Sequence, residues 1–160
     1  MSSKIPLLAL CSLSDAHAAE LAARFELHHA PDAASRHDAV ARLGGSVRVV
    51  LTIGTIGLTA AEIAAMPALE LVCALGVGYE NIDVPACRQR GITVANGADT
   101  NADCVADHAI GLLIAAVRGL VRLDRQCREG VWRDKILPPA NVSGRRLGIL
   151  GLGGIGERIA

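Results

Sequence analysis

Aromatic residues are almost missing from this 160-residue chain: Phe25, Tyr79 and Trp132 are its only three. Its core must therefore be built from Ala, Leu, Val and Ile, which suits helices layered on a parallel sheet. An excess of charge is missing too. Sixteen Lys and Arg balance sixteen Asp and Glu, for a formal net charge of zero. Without a basic stripe interleaved with aromatics, nucleic acid is excluded as a partner. No stretch reaches the ~18 uninterrupted apolar residues of a membrane span. There is no Cys-x-x-Cys pair: Cys11, Cys73, Cys87, Cys104 and Cys127 are widely spaced. That pattern speaks against a disulfide framework or a zinc site, and for reduced thiols in a cytoplasmic protein. The apolar run up to Cys11 is short, contains Pro6 and lacks a small-residue cleavage site, so it reads as a buried strand rather than a signal peptide.

What is present is an alternation. Short apolar runs at Leu7–Cys11, Phe25–His29, Val47–Ile53, Leu69–Ala74 and Ile92–Ala95 are separated by Ala-rich helical stretches at Asp15–Arg24, Asp32–Leu43, Ala60–Met66 and Val84–Arg90. Strands joined by single helices predict right-handed crossovers and a parallel sheet. Residues 1–99 thus form one flavodoxin-like α/β domain. The length leaves room for that domain and a part of another, here residues 100–160.

The punctuation agrees with this division. Gly44-Gly45 stops the second helix, and Gly91 follows the fourth. Asp83 caps Val84–Arg90, with Pro85 tolerated in the first turn. Thr100 to Asp103 reads as a capping box opening one long helix, Asn101 to Glu129. Val105–Leu113 is apolar on nearly every face except Asp107 and His108, which predicts burial on several sides between two domains. Arg118, Arg122, Arg125 and Arg128 mark an exposed second half, and Pro138-Pro139 lies in an irregular connection.

At the far end, Leu147–Leu150 reads as a buried strand running into Gly-x-Gly-x-x-Gly at Gly151, Gly153 and Gly156, with Ile155 and Ile159 starting a helix. This order of strand, turn and helix suits a dinucleotide pyrophosphate: one glycine for the turn, one for close backbone approach, one for helix packing. The candidate cofactor loop is Gly151, Leu152, Gly153, Gly154, Ile155 and Gly156. An acidic residue to hold the ribose is expected about 20 residues further on, beyond Ala160, which predicts that the chain is the front part of a longer protein.

Several stretches, in order and spacing, carry a resemblance. They are Leu75-Gly76-Val77-Gly78-Tyr79-Glu80-Asn81-Ile82-Asp83, Arg90-Gly91-Ile92-Thr93-Val94-Ala95-Asn96, Val105-Ala106-Asp107-His108-Ala109, Gly130-Val131-Trp132 and Ser143 to Gly153. From about Ile53 to Ala160 the chain resembles the D-isomer-specific 2-hydroxyacid dehydrogenases, nearest the glyoxylate/hydroxypyruvate and hydroxyphenylpyruvate reductase branch. The resemblance implies a flavodoxin-like substrate domain followed by the start of a Rossmann domain. It also implies reduction of a small 2-keto acid to the D-2-hydroxy acid with NADH or NADPH, and a homodimer in the full-length protein. The loop Gly76-Val77-Gly78 would offer backbone N–H groups to the substrate carboxylate. Ile53 and Gly54, leaving the third strand on the same side, would help to shape the pocket.

Two departures stand out. Gly154 occupies a position where the family often has an Arg that helps to hold phosphate, and Asp107 replaces a family Glu, as in the hydroxyphenylpyruvate branch. The family's catalytic His, its carboxylate partner and its Arg belong to the later part of the protein, so no catalytic acid or base is assigned here. His17, His28, His29 and His37 read as solvated, and His108 as a satisfied interdomain histidine. The other expectations are a non-catalytic dinucleotide-sensing regulator on the same fold, or an inactive truncated fragment.

Overall fold

A computed structural model describes residues 4–160. The chain divides after Thr100 into two compact units. In the first, β1 (Ile5–Ala9), β2 (Phe25–His29), β3 (Val49–Thr52), β4 (Leu71–Ala74) and β5 (Thr93–Asn96) form one parallel sheet in the order β2-β1-β3-β4-β5. Helices α1 (Asp15–Arg24), α2 (Ala33–Leu43), α3 (Ala60–Ala65) and α4 (Val84–Gln89) make the crossovers. This is the flavodoxin-like order, and the strands are those expected, within a few residues at their ends.

Alternation along the strands divides the core. Leu8 and Leu10 of the first run, with Val50 and Val72, face Ala39, Ile63, Met66 and Cys87. Leu7, Ala9 and Val49 point the other way, onto Leu13, Leu21 and Phe25. Burial pushes the thiols of Cys11, Cys73 and Cys87 above their ordinary range. They serve as small apolar side chains, as their spacing implies.

Capping follows the sequence in part. Asp83 accepts from the Ala86 N–H at 2.9 Å, and Gly91 takes the left-handed conformation (φ +68°) that closes α4. The expected box at Thr100 does not form. Asn101 is the N-cap without a side-chain bond, and the Thr100 hydroxyl donates instead to the Gly97 carbonyl at 2.8 Å. Thr100 is thereby spent on the turn that follows β5.

In the second unit the expected long helix is two helices. α5 (Ala102–Arg118) ends at Gly119, whose left-handed backbone (φ 63°, ψ 36°) bends the chain by 60° into α6 (Leu120–Arg128). A residue with a Cβ resists that conformation; glycine adopts it freely. Burial of α5 is also less than its composition predicts. Only Ala102 and Ala106 are buried, whereas Asp107, His108, Leu112 and Ile114 are exposed. Among the described residues no single helix is long and apolar enough to cross a membrane.

The expected strand Leu147–Leu150 is not a strand. Its backbone pairs with no neighbour, and the Leu150 side chain is fully exposed. A strand exists only through its partner's N–H and C=O groups, and among the described residues none pairs with this segment. The glycine turn nevertheless leads into a short helix, α7 (Gly154–Ile159), which packs on α5. Arg158 of α7 pairs with Asp103 of α5.

Candidate functional site

Two loops leave the C-terminal edge of the sheet side by side: residues 53–57 after β3 and residues 75–81 after β4. The side where ligands of open parallel sheets gather thus holds both stretches singled out in the sequence. The Asn81 side-chain amide joins them, donating to the Gly54 carbonyl at 2.9 Å and the Thr55 carbonyl at 3.2 Å. The Leu58 N–H donates to the Asn81 carbonyl at 3.0 Å. A Cβ on Gly54 would stand 2.6 Å from the Gly78 carbonyl carbon, so glycine there is what lets the loops touch.

The first loop is braced from behind. The Thr52 hydroxyl, wholly buried, donates to the Gly57 carbonyl at 2.9 Å. Arg36 of α2 reaches the same carbonyl and forms a two-pronged pair with Glu62 of α3 at 2.5 and 2.6 Å. Glu62 also caps α3 by accepting from the Thr59 N–H at 2.9 Å. Desolvation alone would raise the Glu62 carboxyl; the bonds from Arg36 and Thr59 outweigh it and hold the group below its ordinary range.

The second loop is oriented by the end of β5. The Gly97 N–H donates to the Gly76 carbonyl at 2.7 Å, and the Asn96 amide donates to the Val77 carbonyl at 2.7 Å. In a trans peptide the N–H points opposite to the C=O. Drawing those two carbonyls toward β5 therefore turns the N–H groups of Val77 and Gly78 the other way. They and the Gly76 N–H have no acceptor among the described residues. Gly76 carries the positive φ of +109° that the turn needs. A cavity of about 290 Å³ lined by Tyr79, Val84, Val94, Ala95 and Asn96 opens beside this loop.

Glu80, Asn81 and Asn96 went unassigned in the sequence. All three lie inside the stretches that carried the resemblance, which was the signal available for them. The histidines are less uniform than expected. His29 Nε2 lies 3.0 Å from the Cys11 carbonyl oxygen, and His28 lies 3.4 Å from Glu26.

Gly151 to Gly156 belongs to the second unit. Gly151 has φ +93°, and Gly153 has open space where a side chain would stand. At the buried Gly156, a Cβ would stand 2.1 Å from the Gly151 carbonyl oxygen. Gly151 thus lies at the turn, Gly153 is open, and Gly156 closes tightly on the Gly151 backbone.

A family model describing the catalytic domain of D-isomer-specific 2-hydroxyacid dehydrogenases matches residues 7–152. The chain belongs to this family. Among its curated relatives, hydroxyphenylpyruvate reductase of Plectranthus scutellarioides is 35% identical over 157 residues, covering 98% of this chain and 50% of the relative. Glyoxylate/hydroxypyruvate reductase A of Arabidopsis thaliana has the same identity and coverage. Of the solved structures, the 2-hydroxyacid dehydrogenase of Ketogulonicigenium vulgare Y25 superposes with a TM-score of 0.89 at 35% identity, over 99% of this chain and 50% of that one. The NADPH-dependent glyoxylate/hydroxypyruvate reductase of Sinorhizobium meliloti, solved with NADP and malonate, gives 0.79 at 32%, over 98% and 49%. The chain spans about half the length of these relatives.

Proposed function

We propose that this chain carries the substrate-carboxylate seat and the pyrophosphate loop of an NAD(P)H-dependent reductase of small 2-keto acids, of the glyoxylate or hydroxypyruvate type. One observation carries the reading: the N–H groups of Val77 and Gly78 are turned away from β5, and with the Gly76 N–H they have no acceptor among the described residues at a glycine-rich sheet edge. Converging N–H groups on a loop that a ligand can approach closely form an anion seat. Ile53 and Gly54 bound the seat on one side, and Asn96 holds it in orientation.

The residues of the second unit fit a dinucleotide. Gly151, Leu152, Gly153, Gly154, Ile155 and Gly156 would hold its pyrophosphate through backbone N–H groups, the open space at Gly153 permitting close approach. When bound, the nicotinamide supplies hydride chemistry. With Gly154 in place of a cation, the loop leaves the phosphate to the backbone alone. The relatives, which are named as reductases, weigh against a non-catalytic regulator on this fold.

Proton–nitrogen correlation spectra of the chain titrated with glycolate test the seat. The amides of Gly76, Val77 and Gly78 should shift together and saturably. Gly76→Ala, which forces a side chain into φ +109°, should weaken the response at least fivefold. Shifts confined to other residues would remove the seat. Residues 1–160 alone should show neither glyoxylate-dependent NADPH oxidation nor micromolar NADPH binding. A phosphate held by backbone N–H groups gains too little to offset an association cost of roughly 4–15 kcal/mol.

A further inference from the structure

Glu80 occupies an unusual place in the seam between the two loops. Its Oε2 lies 2.6 Å from where a Cβ would stand on Gly54, and 2.6 Å from where one would stand on Gly78. The two glycines together make a slot, and the Glu80 carboxylate fills it. Asn81 explains the placement: by tying itself to the carbonyls of Gly54 and Thr55, it sets the preceding residue directly over the junction. The helix cap of α4 and the Arg36–Glu62 brace use other carboxylates. Glu80 is an exposed residue, and its carboxylate has no hydrogen-bond or ion-pair partner among the described residues. An unpaired acceptor pressed between two glycines adds nothing evident to the stability of the loops. It does stand within 2.6 Å of the Cβ position of Gly78, itself one of the three residues of the seat.

Resting on the reading of Gly76–Gly78 as the carboxylate seat, we propose that Glu80 determines substrate specificity. Its carboxylate favours acids whose C3 substituent donates a hydrogen bond and disfavours acids with a second carboxylate. The chemistry follows from the group itself. An ionised carboxylate only accepts, so a C3 hydroxyl gains a charge-assisted bond, a methyl gains nothing, and a carboxylate meets like charge at close range. The pocket thereby prefers hydroxypyruvate-type acids to pyruvate-type acids, and both to 2-keto diacids.

Three acids that differ only at C3 separate these effects: D-lactate with methyl, D-glycerate with hydroxymethyl and tartronate with carboxylate. Each is titrated into the chain at constant ionic strength, and the amides of Gly76–Gly78 report binding. D-glycerate should bind tightest and tartronate weakest. Glu80→Gln keeps an acceptor and removes the charge. It should strengthen tartronate about tenfold, the size expected for two carboxylates in contact near a protein surface, while D-glycerate changes less than about threefold. Glu80→Ala should relieve tartronate as well but lose the preference for D-glycerate over D-lactate. If all three acids move the loop amides but neither variant alters their ratios, Glu80 has no role in selection and the inference falls, with the seat intact. If no acid moves those amides in any form of the chain, the seat itself is wrong and the inference falls with it.

Discussion

The side chain of Asn81 and the carbonyl of Gly54, 27 residues apart, are joined by a hydrogen bond of 2.9 Å. That bond and its partner to the Thr55 carbonyl fasten the loop after β4 to the loop after β3. The Asn81 amide thus adds a side-chain tie to the backbone bond from Leu58 that also joins the two loops. Asn81→Ala should cost about 0.5–1.5 kcal/mol in urea denaturation, the usual net worth of a hydrogen bond. It should also speed amide exchange at Gly57 and Leu58 more than at the β-strands. Unchanged exchange in both loops would mean that the tie is dispensable.

The Arg36–Glu62 pair gives stability a dependence on pH. The folded Glu62 carboxyl is held below its ordinary range, so the unfolded chain binds its proton first as pH falls. The stabilisation is therefore full above about pH 4.5, the ordinary range of a glutamate. It is lost as the pH drops through the lower, folded-state value. Both side chains are less than one-fifth exposed, at 18% and 19%. Glu62→Gln, which breaks the charged pair, should cost roughly 1–3 kcal/mol at pH 7. The gap between wild type and variant should close as chemical denaturation is repeated toward pH 3. A gap that stays constant across that range would assign the cost to packing rather than charge.

Three glycines should respond differently to alanine. At Gly54 the new Cβ meets the Gly78 backbone at 2.6 Å, and a backbone atom cannot swing aside. Overpacking of this kind costs roughly 1–3 kcal/mol. At Gly76 there is open space but φ is +109°, so the cost is conformational, of order 1–2 kcal/mol. At Gly45 neither obstacle exists, and a change between neutral and about 1 kcal/mol stabilising is expected from the stiffer unfolded chain. Melting temperatures of the three variants in one buffer give the ranking.

The second unit exposes much apolar surface. Leu112, Val121, Leu137, Leu147, Leu150 and Leu152 are all more than half exposed, Leu150 completely. Surfaces of this kind recruit a partner or aggregate. The chain should therefore self-associate at micromolar concentration in light scattering and enhance the fluorescence of a hydrophobic dye. Leu112→Gln with Leu150→Gln should reduce both signals. A strictly monomeric chain with no dye response would overturn this expectation.

Much of the first unit could be read residue by residue because its signals are local. A buried parallel strand needs only a short apolar run, a helix only its period and caps, and Asp83 and Gly91 act within a single turn. The alternation of runs and helices, with right-handed crossovers, then left few ways to order the sheet. The Gly151–Gly156 turn was legible for the same reason, since a positive φ at Gly151 and the tight closure at Gly156 are properties of six consecutive residues. Composition misled where the outcome depends on a neighbour. Leu147–Leu150 has a strand's residues but no pairing strand among the described residues, and α5 has a buried helix's residues but largely exposed faces. Gly119 showed the converse: a single permissive residue inside a helical pattern became the break between α5 and α6.

The tie from Asn81 to Gly54, the hold of Asn96 on Val77, the brace of Arg36 on Glu62 and the slot that Glu80 fills were decided only by the tertiary fold. Each joins loops or helices that the chain order keeps apart, and the slot of Glu80 does so too, with one glycine wall from each loop. Propensity and period describe what a segment can form. Which side-chain amide meets which carbonyl is set by how β3, β4 and β5 lie beside one another in register, because hydrogen bonds act over about 3 Å and that distance is fixed by packing.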